Sequence, residues 1–311
     1  MTTRILVERQ HLARARIDDL PEAPLAHLEV RVRTGRFALT ANNVTYGLAG
    51  DMVGYWNFFP AAPPEGLIPV WGFATVSESR APELPEGTRL WGFLPLASDL
   101  VMRPADVSRR GFTDAAPHRA ALPPLYNHYA LTDADSPELA EAGDARSLLF
   151  PLTTTGFVLA DWLADQGFLG ATQVLVSSAS SKTGFGLGFN LGPHGIHRIG
   201  LTSAANRGFV ERLGAFDTVL DYAAIRGLDP GIPTVFVDMA GNPDVTSAIH
   251  HHFGDCLKAS VAVGLTHQQA GGPARLPGPQ PAFFFAPDQM AKRDRDWGPG
   301  EIGRASCRER V

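Results

Sequence analysis

From Gln173 onward, apolar runs short enough for strands alternate with stretches long enough for helices. QVLVSS, HRIGLTS, FDTVLDY, PTVFVDMAG and SVAVGLT read as strands, NRGFVERLG as a short helix closed by Gly214, and VTSAIHHHFGDCLKA as helical. Parallel neighbours need a crossover of helical length, and such crossovers are right-handed. The pattern predicts a Rossmann-type α/β unit, a doubly wound parallel sheet with helices on both faces. Ahead of it, LLFPLTTTGFVLADWLADQGFLG places Val158, Leu159, Trp162 and Leu163 on one stripe of a helix, with Gly167 near its end.

The first of these strands runs into VLVSSASSKTGFGLGFNLG, residues 174–192. Phe185, Leu187, Phe189 and Leu191 alternate as in a strand, whereas Gly184, Gly188 and Gly192 share one face of a helix. Each glycine costs a helix about 1 kcal/mol relative to Ala. Close packing on a sheet gives the glycine stripe a use in a helix that it lacks in a strand. The stretch is predicted as a serine-substituted Rossmann turn followed by a helix. Ser178, Ser180, Ser181 and Thr183 are expected to line a pyrophosphate, Lys182 to add a positive charge, and Gly184 to allow close packing. A P-loop would need glycine where Ser181 precedes Lys182. Although VFVDMAG resembles an acidic NTPase strand, a P-loop-like NTPase ranks third.

Sites that take NAD commonly carry a carboxylate after the second strand to hold the ribose hydroxyls. Residues 201–207, LTSAANR, have none, so Thr202, Ser203 and Arg207 are free to meet a 2′-phosphate. NADP is the expected cofactor, with NAD second; Arg207 fits equally well as a solvated helix residue. Asp238 with Gly241, and Gly264 with Thr266 and His267, follow later strands where nicotinamide contacts fall. Asp238 also fits a loop or helix-start carboxylate.

A chain of 311 residues, 44% hydrophobic and 19% charged with net charge −5, suits a globular protein of one large or two ordinary domains. Its basic residues are scattered, which argues against nucleic acid as a partner. No leader pattern is seen and no segment reads as a membrane span, so the expectation is a cytoplasmic protein with no membrane partner. Cys256 and Cys307 make neither a disulfide framework nor a zinc site, and Cys256 reads as a packed apolar residue. His250, His251 and His252 point apart on a helix, which favours capping or exposure over metal binding.

Residues 28–125 are rich in Pro, Gly and aromatics, with short runs such as LEVRVR, IPVWGFATV and TRLWGFLPLASDLVM, and read as mainly β. Residues 126–147 read as a polar connection. The order of elements resembles the zinc-free medium-chain dehydrogenase/reductases, the quinone-oxidoreductase-like group. The combination ANNVTYG, GYWNFFP, PVWGFA, SSASSKTG and GPQPAFFFAPDQ is similar to a bacterial and fungal family of unknown function related to them.

That resemblance implies a GroES-like substrate domain over 1–125, a connection over 126–147, a Rossmann domain over 148–267, and a return of the chain to the first domain beginning over 268–300. The tail EIGRASCRERV, residues 301–311, reads as a sequencing adapter translated in frame and is set aside from the fold. Where zinc-dependent relatives carry Gly-His-Glu, this chain has Trp71, Gly72 and Phe73, so zinc is not expected. The resemblance puts Asn43, Thr45 and Tyr46 on the acceptor side of the nicotinamide, with Tyr46 donating a proton or orienting a carbonyl. Tyr55, Trp56, Phe58, Phe59, Trp71 and Phe73 fit a pocket wall or, by preference, the core.

The expected function is an NADPH-dependent, zinc-independent reductase of an activated alkene, quinone or carbonyl. Its partner is a small-molecule substrate, and the resemblance allows a homodimer. A non-catalytic dinucleotide-binding or sensor protein is the alternative.

Overall fold

The computed structural model describes residues 1–263 and 275–298. The chain divides into two units, Met1–Phe150 and Pro151–Val311.

The first unit is mainly β. β1 (Thr2–Glu8) and β2 (His11–Leu20) form a hairpin, followed by β3 (Val30–Ala38), α1 (Ala41–Leu48) and the single turn α2 (Gly50–Val53). Then come β4 (Glu65–Leu67), β5 (Pro69–Ser79), β6 (Arg89–Pro95), β7 (Asp99–Met102), β8 (Pro104–Ser108), β9 (Gly111–Asp114) and β10 (His128–Leu131). They pair as a three-stranded sheet, β2-β1-β4, and a seven-stranded sheet, β7-β3-β5-β6-β10-β9-β8. Val30, Val32, Val70, Ala74, Val76, Leu90 and Leu94 face inward to make the core, as the short apolar runs predict. The N-terminal hairpin escaped the sequence reading because β2 is nearly all exposed and carries charge where a strand usually carries apolar residues. Its backbone pairs with β1 along its length, and ion pairs flank it, Arg4 to Asp18 at 2.7 Å and Arg16 to Glu65 at 2.5 Å.

The stretch expected as a polar connection holds a strand from its third residue, His128. Tyr129 of β10 is fully buried; its phenol donates to the Phe93 carbonyl and accepts from Arg119 at 2.9 Å. A polar run thus hides two buried aromatics, Tyr126 and Tyr129. The chain then enters α3 (Pro137–Asp165), broken at Gly143 where φ is 47°. The division between the units falls inside this helix, at Phe150 and Pro151. Contrary to expectation, α3 is long and apolar enough to meet a membrane-span test, at mean hydropathy 1.3. Half of that window is buried within the protein, as in a core helix.

The second unit has β11 (Gln173–Val176), α4 (Lys182–Leu191), β12 (His197–Thr202), α5 (Ala204–Leu213), β13 (Thr218–Asp221), β14 (Thr234–Asp238), α6 (Pro243–Phe253), β15 (Leu257–Ala262), β16 (Ala282–Phe283) and α7 (Ala286–Trp297). The sheet order is β13-β12-β11-β14-β15-β16, and every pairing is parallel. This is the doubly wound sheet predicted from the alternation. The strand expected from Ser260 starts instead at Leu257, because the chain leaves α6 at Phe253 and buried Leu257 pairs opposite Thr234. Residues 275–298 lie in the second unit: β16 extends its sheet, and Gln289 and Arg293 of α7 hold Asp161 of α3 at 2.8 and 2.7 Å.

Residues 182–191 are helical, and the glycines of α4 serve two faces. A Cβ at Gly184 would lie 2.7 Å from the Ser178 carbonyl, and one at Gly188 2.8 Å from that of Ala215, so this face admits no side chain. Gly186 packs closely on α3, where a Cβ would meet Thr153 Cα at 3.1 Å, while Gly192, just past the helix, faces the Arg198 guanidinium, itself bonded to Asp217 and the Gly188 carbonyl.

Candidate functional site

β11 has β12 on one side and β14 on the other, so the chain order reverses between β11 and β14. In open parallel sheets this switch point opens a crevice at the carboxyl ends of the strands. The loop 177–181 leaves β11 there.

Most of its backbone is already committed. The N–H of Ser177 donates to Val237, that of Ala179 to Leu201 and that of Ser181 to Ser178. Ser178 stands in left-handed backbone at φ 46°, and its N–H donates to the Tyr222 phenol at 3.0 Å. Ser181 is the N-cap of α4, accepting the Gly184 N–H at 3.1 Å. Three donors remain. The N–H groups of Ser180, Lys182 and Thr183 have no acceptor among the described residues, and the Lys182 ammonium has no ion-pair partner there. Free N–H groups at a helix start, reinforced by the helix dipole and one cation, make an anion site.

The Ser180 hydroxyl adds a fourth donor. Thr202 Oγ1 and Asn206 Nδ2 both donate to its oxygen, at 3.2 and 3.3 Å. An amide nitrogen can only donate, so the Ser180 oxygen accepts and its own proton is left to point elsewhere. Ser203 starts α5 with an exposed side chain and no capping bond. Arg207 follows one turn later, exposed and paired with Glu211 at 2.8 Å, which raises its pKa above the usual arginine value.

The structure therefore brings Ser178, Ser180, Ser181, Lys182, Thr183, Gly184 and Thr202 together at one strand end. Asn206 and Tyr222 join them without having been foreseen. No residue-type pattern marks Asn206, and Tyr222 reaches the loop only because β13 ends beside β12. Asp238 is placed differently from a free cofactor contact. Its Oδ1 accepts the Ser177 hydroxyl at 2.6 Å and the N–H groups of Ala240 and Gly241; its Oδ2 accepts the Thr246 hydroxyl at 3.0 Å. Gly241 is part of that turn, at φ 69°. Gly264, Thr266 and His267 lie outside the described residues.

In the first unit, Asn43 completes a capping box on α1: Oδ1 accepts the Thr40 N–H at 2.6 Å while Nδ2 donates to the Pro69 carbonyl at 2.8 Å. Tyr46 is buried beside Tyr55 and Phe93, and its oxygen accepts the Trp71 indole N–H at 3.0 Å. Burial pushes its phenol well above the ordinary tyrosine range. Thr45 is the half-buried member of the three. Tyr55, Trp56, Phe58, Phe59, Trp71 and Phe73 are all buried, so these rings are core. Between the end of β3 and the first part of α3, a pocket of about 400 Å³ is lined by Gly35, Arg36, Phe37, Ala38, Leu39, Asp144, Ser147 and Leu148.

The three histidines point apart as expected, but His250 neither caps nor faces solvent. It is buried, with Nδ1 2.8 Å from the Pro277 carbonyl and Nε2 2.9 Å from Ser260 Oγ. His251 bonds the Ser247 carbonyl and His252 that of Leu228. Among the described residues no three His, Cys, Asp or Glu side chains gather as metal donors.

A GroES-like β unit followed by a Rossmann unit is the fold of the medium-chain dehydrogenase/reductases. The chain belongs to the family described as protein of unknown function (DUF2855), which matches residues 37–309. No curated protein matches the chain. Among solved structures it is similar to a putative NADPH:quinone reductase from Mesorhizobium loti, with a TM-score of 0.63 and 13% identity over 99% of this chain and 88% of that one. It is also similar to CurA from Vibrio vulnificus in complex with NADPH, with a TM-score of 0.58 and 13% identity over 99% and 89% of the two chains. A mutant enoyl thioester reductase from Candida tropicalis gives a TM-score of 0.59 and 12% identity over 99% and 88%. At such identities the likeness is one of fold.

Proposed function

We propose that the protein binds NADPH on the serine loop and reduces an activated alkene, quinone or carbonyl without zinc. The observation that carries this reading is the set of N–H groups at Ser180, Lys182 and Thr183 that have no acceptor among the described residues, beside a Lys182 ammonium with no ion-pair partner among them, at the switch point of a parallel sheet. The NADPH complex of CurA, a protein of the same fold, supports it. When bound, the nicotinamide supplies the hydride.

The chain's own residues bind and orient. Ser180, Lys182 and Thr183 take the pyrophosphate, and Ser203 with Arg207 takes the 2′-phosphate once Arg207 turns from Glu211. Thr45, half-buried, is the acceptor-side residue, whereas Asn43 supports α1. Tyr46 stays protonated across the physiological range and serves as a hydrogen-bond donor, not a base.

One observation favours a second reading, a dinucleotide-binding sensor that performs no reduction: the Asn43 amide is bonded on both sides and the Tyr46 phenol is buried against Trp71. Consumption of NADPH over a panel of quinones, enones and aldehydes separates the two. Turnover with any of them supports the reductase; NADPH binding without turnover, unaltered by Tyr46→Phe, supports the sensor.

A further inference from the structure

We propose that Asp238 is a positioning residue that shapes the serine loop through Ser177, resting on the reading of that loop as the dinucleotide site. Asp238 closes β14 and Ser177 follows directly on β11, and these are adjacent strands in register at Val176 and Val237. Both side chains are almost wholly buried. The Ser177 hydroxyl donates to Asp238 Oδ1 at 2.6 Å and in turn accepts the Met239 N–H at 3.0 Å. The same Oδ1 accepts the N–H groups of Ala240 and Gly241, while Oδ2 accepts the Thr246 hydroxyl from the first turn of α6.

A buried carboxylate with no cation beside it among the described residues is tolerable only because donors meet both oxygens. Its two oxygens do different work. Oδ2 ties the turn after β14 to α6. Oδ1 fixes Ser177, the last residue before the loop, and so sets the direction in which the chain leaves β11. That direction puts Ser178 at φ 46° and leaves the N–H groups of Ser180, Lys182 and Thr183 without an acceptor among the described residues. Asp238 thereby acts on the anion site without touching the anion.

The two oxygens can be tested separately. In Asp238→Asn the side chain keeps its shape, but an amide oxygen is a poorer acceptor than a carboxylate and the amide nitrogen accepts nothing. Ser177→Ala removes the same contact by deleting one hydroxyl, and keeps the test open should Asp238→Asn fail to fold. Thr246→Ala breaks the Oδ2 contact, along with the Thr246 bond to the Asn242 carbonyl, and leaves the Oδ1 contacts in place. NADPH affinity by calorimetry and amide hydrogen exchange over 178–184 are read on the full chain.

The expected result is a loss of affinity of about tenfold in both Asp238→Asn and Ser177→Ala. The double variant should be no worse than the weaker single, because the Ser177–Asp238 bond is the interaction common to both. Thr246→Ala should bind as the native protein does, and loop exchange should quicken only in the first two. Unchanged loop exchange in Asp238→Asn and Ser177→Ala overturns the proposal, as does an equal loss in Thr246→Ala. If the native protein binds neither NADPH nor NADH, the dinucleotide reading fails by itself, and loop exchange alone decides whether Asp238 shapes the loop.

Discussion

The Tyr222 phenol oxygen accepts the Ser178 backbone N–H at 3.0 Å, across the gap between the strand end of β13 and the loop after β11. Ser178 holds φ 46°, where a side chain is strained and glycine is not. Ser178→Gly should therefore stabilise the protein by roughly 1 kcal/mol, within the cost of placing an L-residue in left-handed backbone. Tyr222→Phe should destabilise it by about 1 kcal/mol, because a backbone donor loses its partner. Opposite shifts of the denaturation midpoint confirm the pair; shifts of the same sign contradict it.

The contact of α3 with α4 should be intolerant of added methyl groups. A Cβ at Gly156 would lie 2.5 Å from the Leu187 nitrogen, and one at Gly186 3.1 Å from Thr153 Cα. Gly156→Ala should destabilise by roughly 1–3 kcal/mol, and Gly186→Ala by less, because its contact is looser and Ala gains up to about 1 kcal/mol of helix propensity. Chemical denaturation reads the order directly.

The environment of His250 makes stability depend on pH. The Pro277 carbonyl can only accept, so Nδ1 carries the proton and Nε2 accepts from the Ser260 hydroxyl in the neutral ring. Burial lowers the pKa of His250 from 6.5, with His251 pushing the same way and the bond to Pro277 opposing. Above pH 6.5 both folded and unfolded rings are neutral, and the full stability is present. As pH falls below that value the unfolded chain takes up the proton first, so stability declines until the folded pKa is passed. In His250→Gln the decline below pH 6.5 should be shallower, as measured by thermal unfolding across pH 5 to about 7.

Much of the second unit was legible because apolar runs of strand length alternate with helical stretches, and a parallel sheet is what such alternation can build. The glycine stripe on α4 was legible for the same physical reason, close packing. The N-terminal hairpin was not, because β2 is exposed and charged and shows no apolar alternation, and the strand at Tyr129 was hidden in polar neighbours. At the site, the serines and Lys182 could be read from residue type after a strand. The contributions of Asn206 and Tyr222 could not, since each depends on which strand ends lie side by side. Asp238 was visible as a carboxylate at a strand end, but only the structure shows its oxygens turned inward to Ser177 and Thr246.

Phosphate discrimination should reside at the start of α5. Arg207→Ala should weaken NADPH more than NADH, by about the 1.5–3 kcal/mol of a hydrogen bond to a charged group less the cost of leaving Glu211. Asn206→Ala, which frees the Ser180 hydroxyl to rotate, should weaken both cofactors alike. Paired titrations with NADPH and NADH distinguish these patterns.

The most direct test is calorimetric titration of NADPH into the native protein and into Lys182→Ala. The expected result is saturable binding to the native protein and a loss of about tenfold or more in Lys182→Ala, since one charge-assisted contact to phosphate is removed. Native protein that binds neither NADPH nor NADH, or Lys182→Ala that binds as tightly as native, would contradict the assignment of the serine loop as the dinucleotide site.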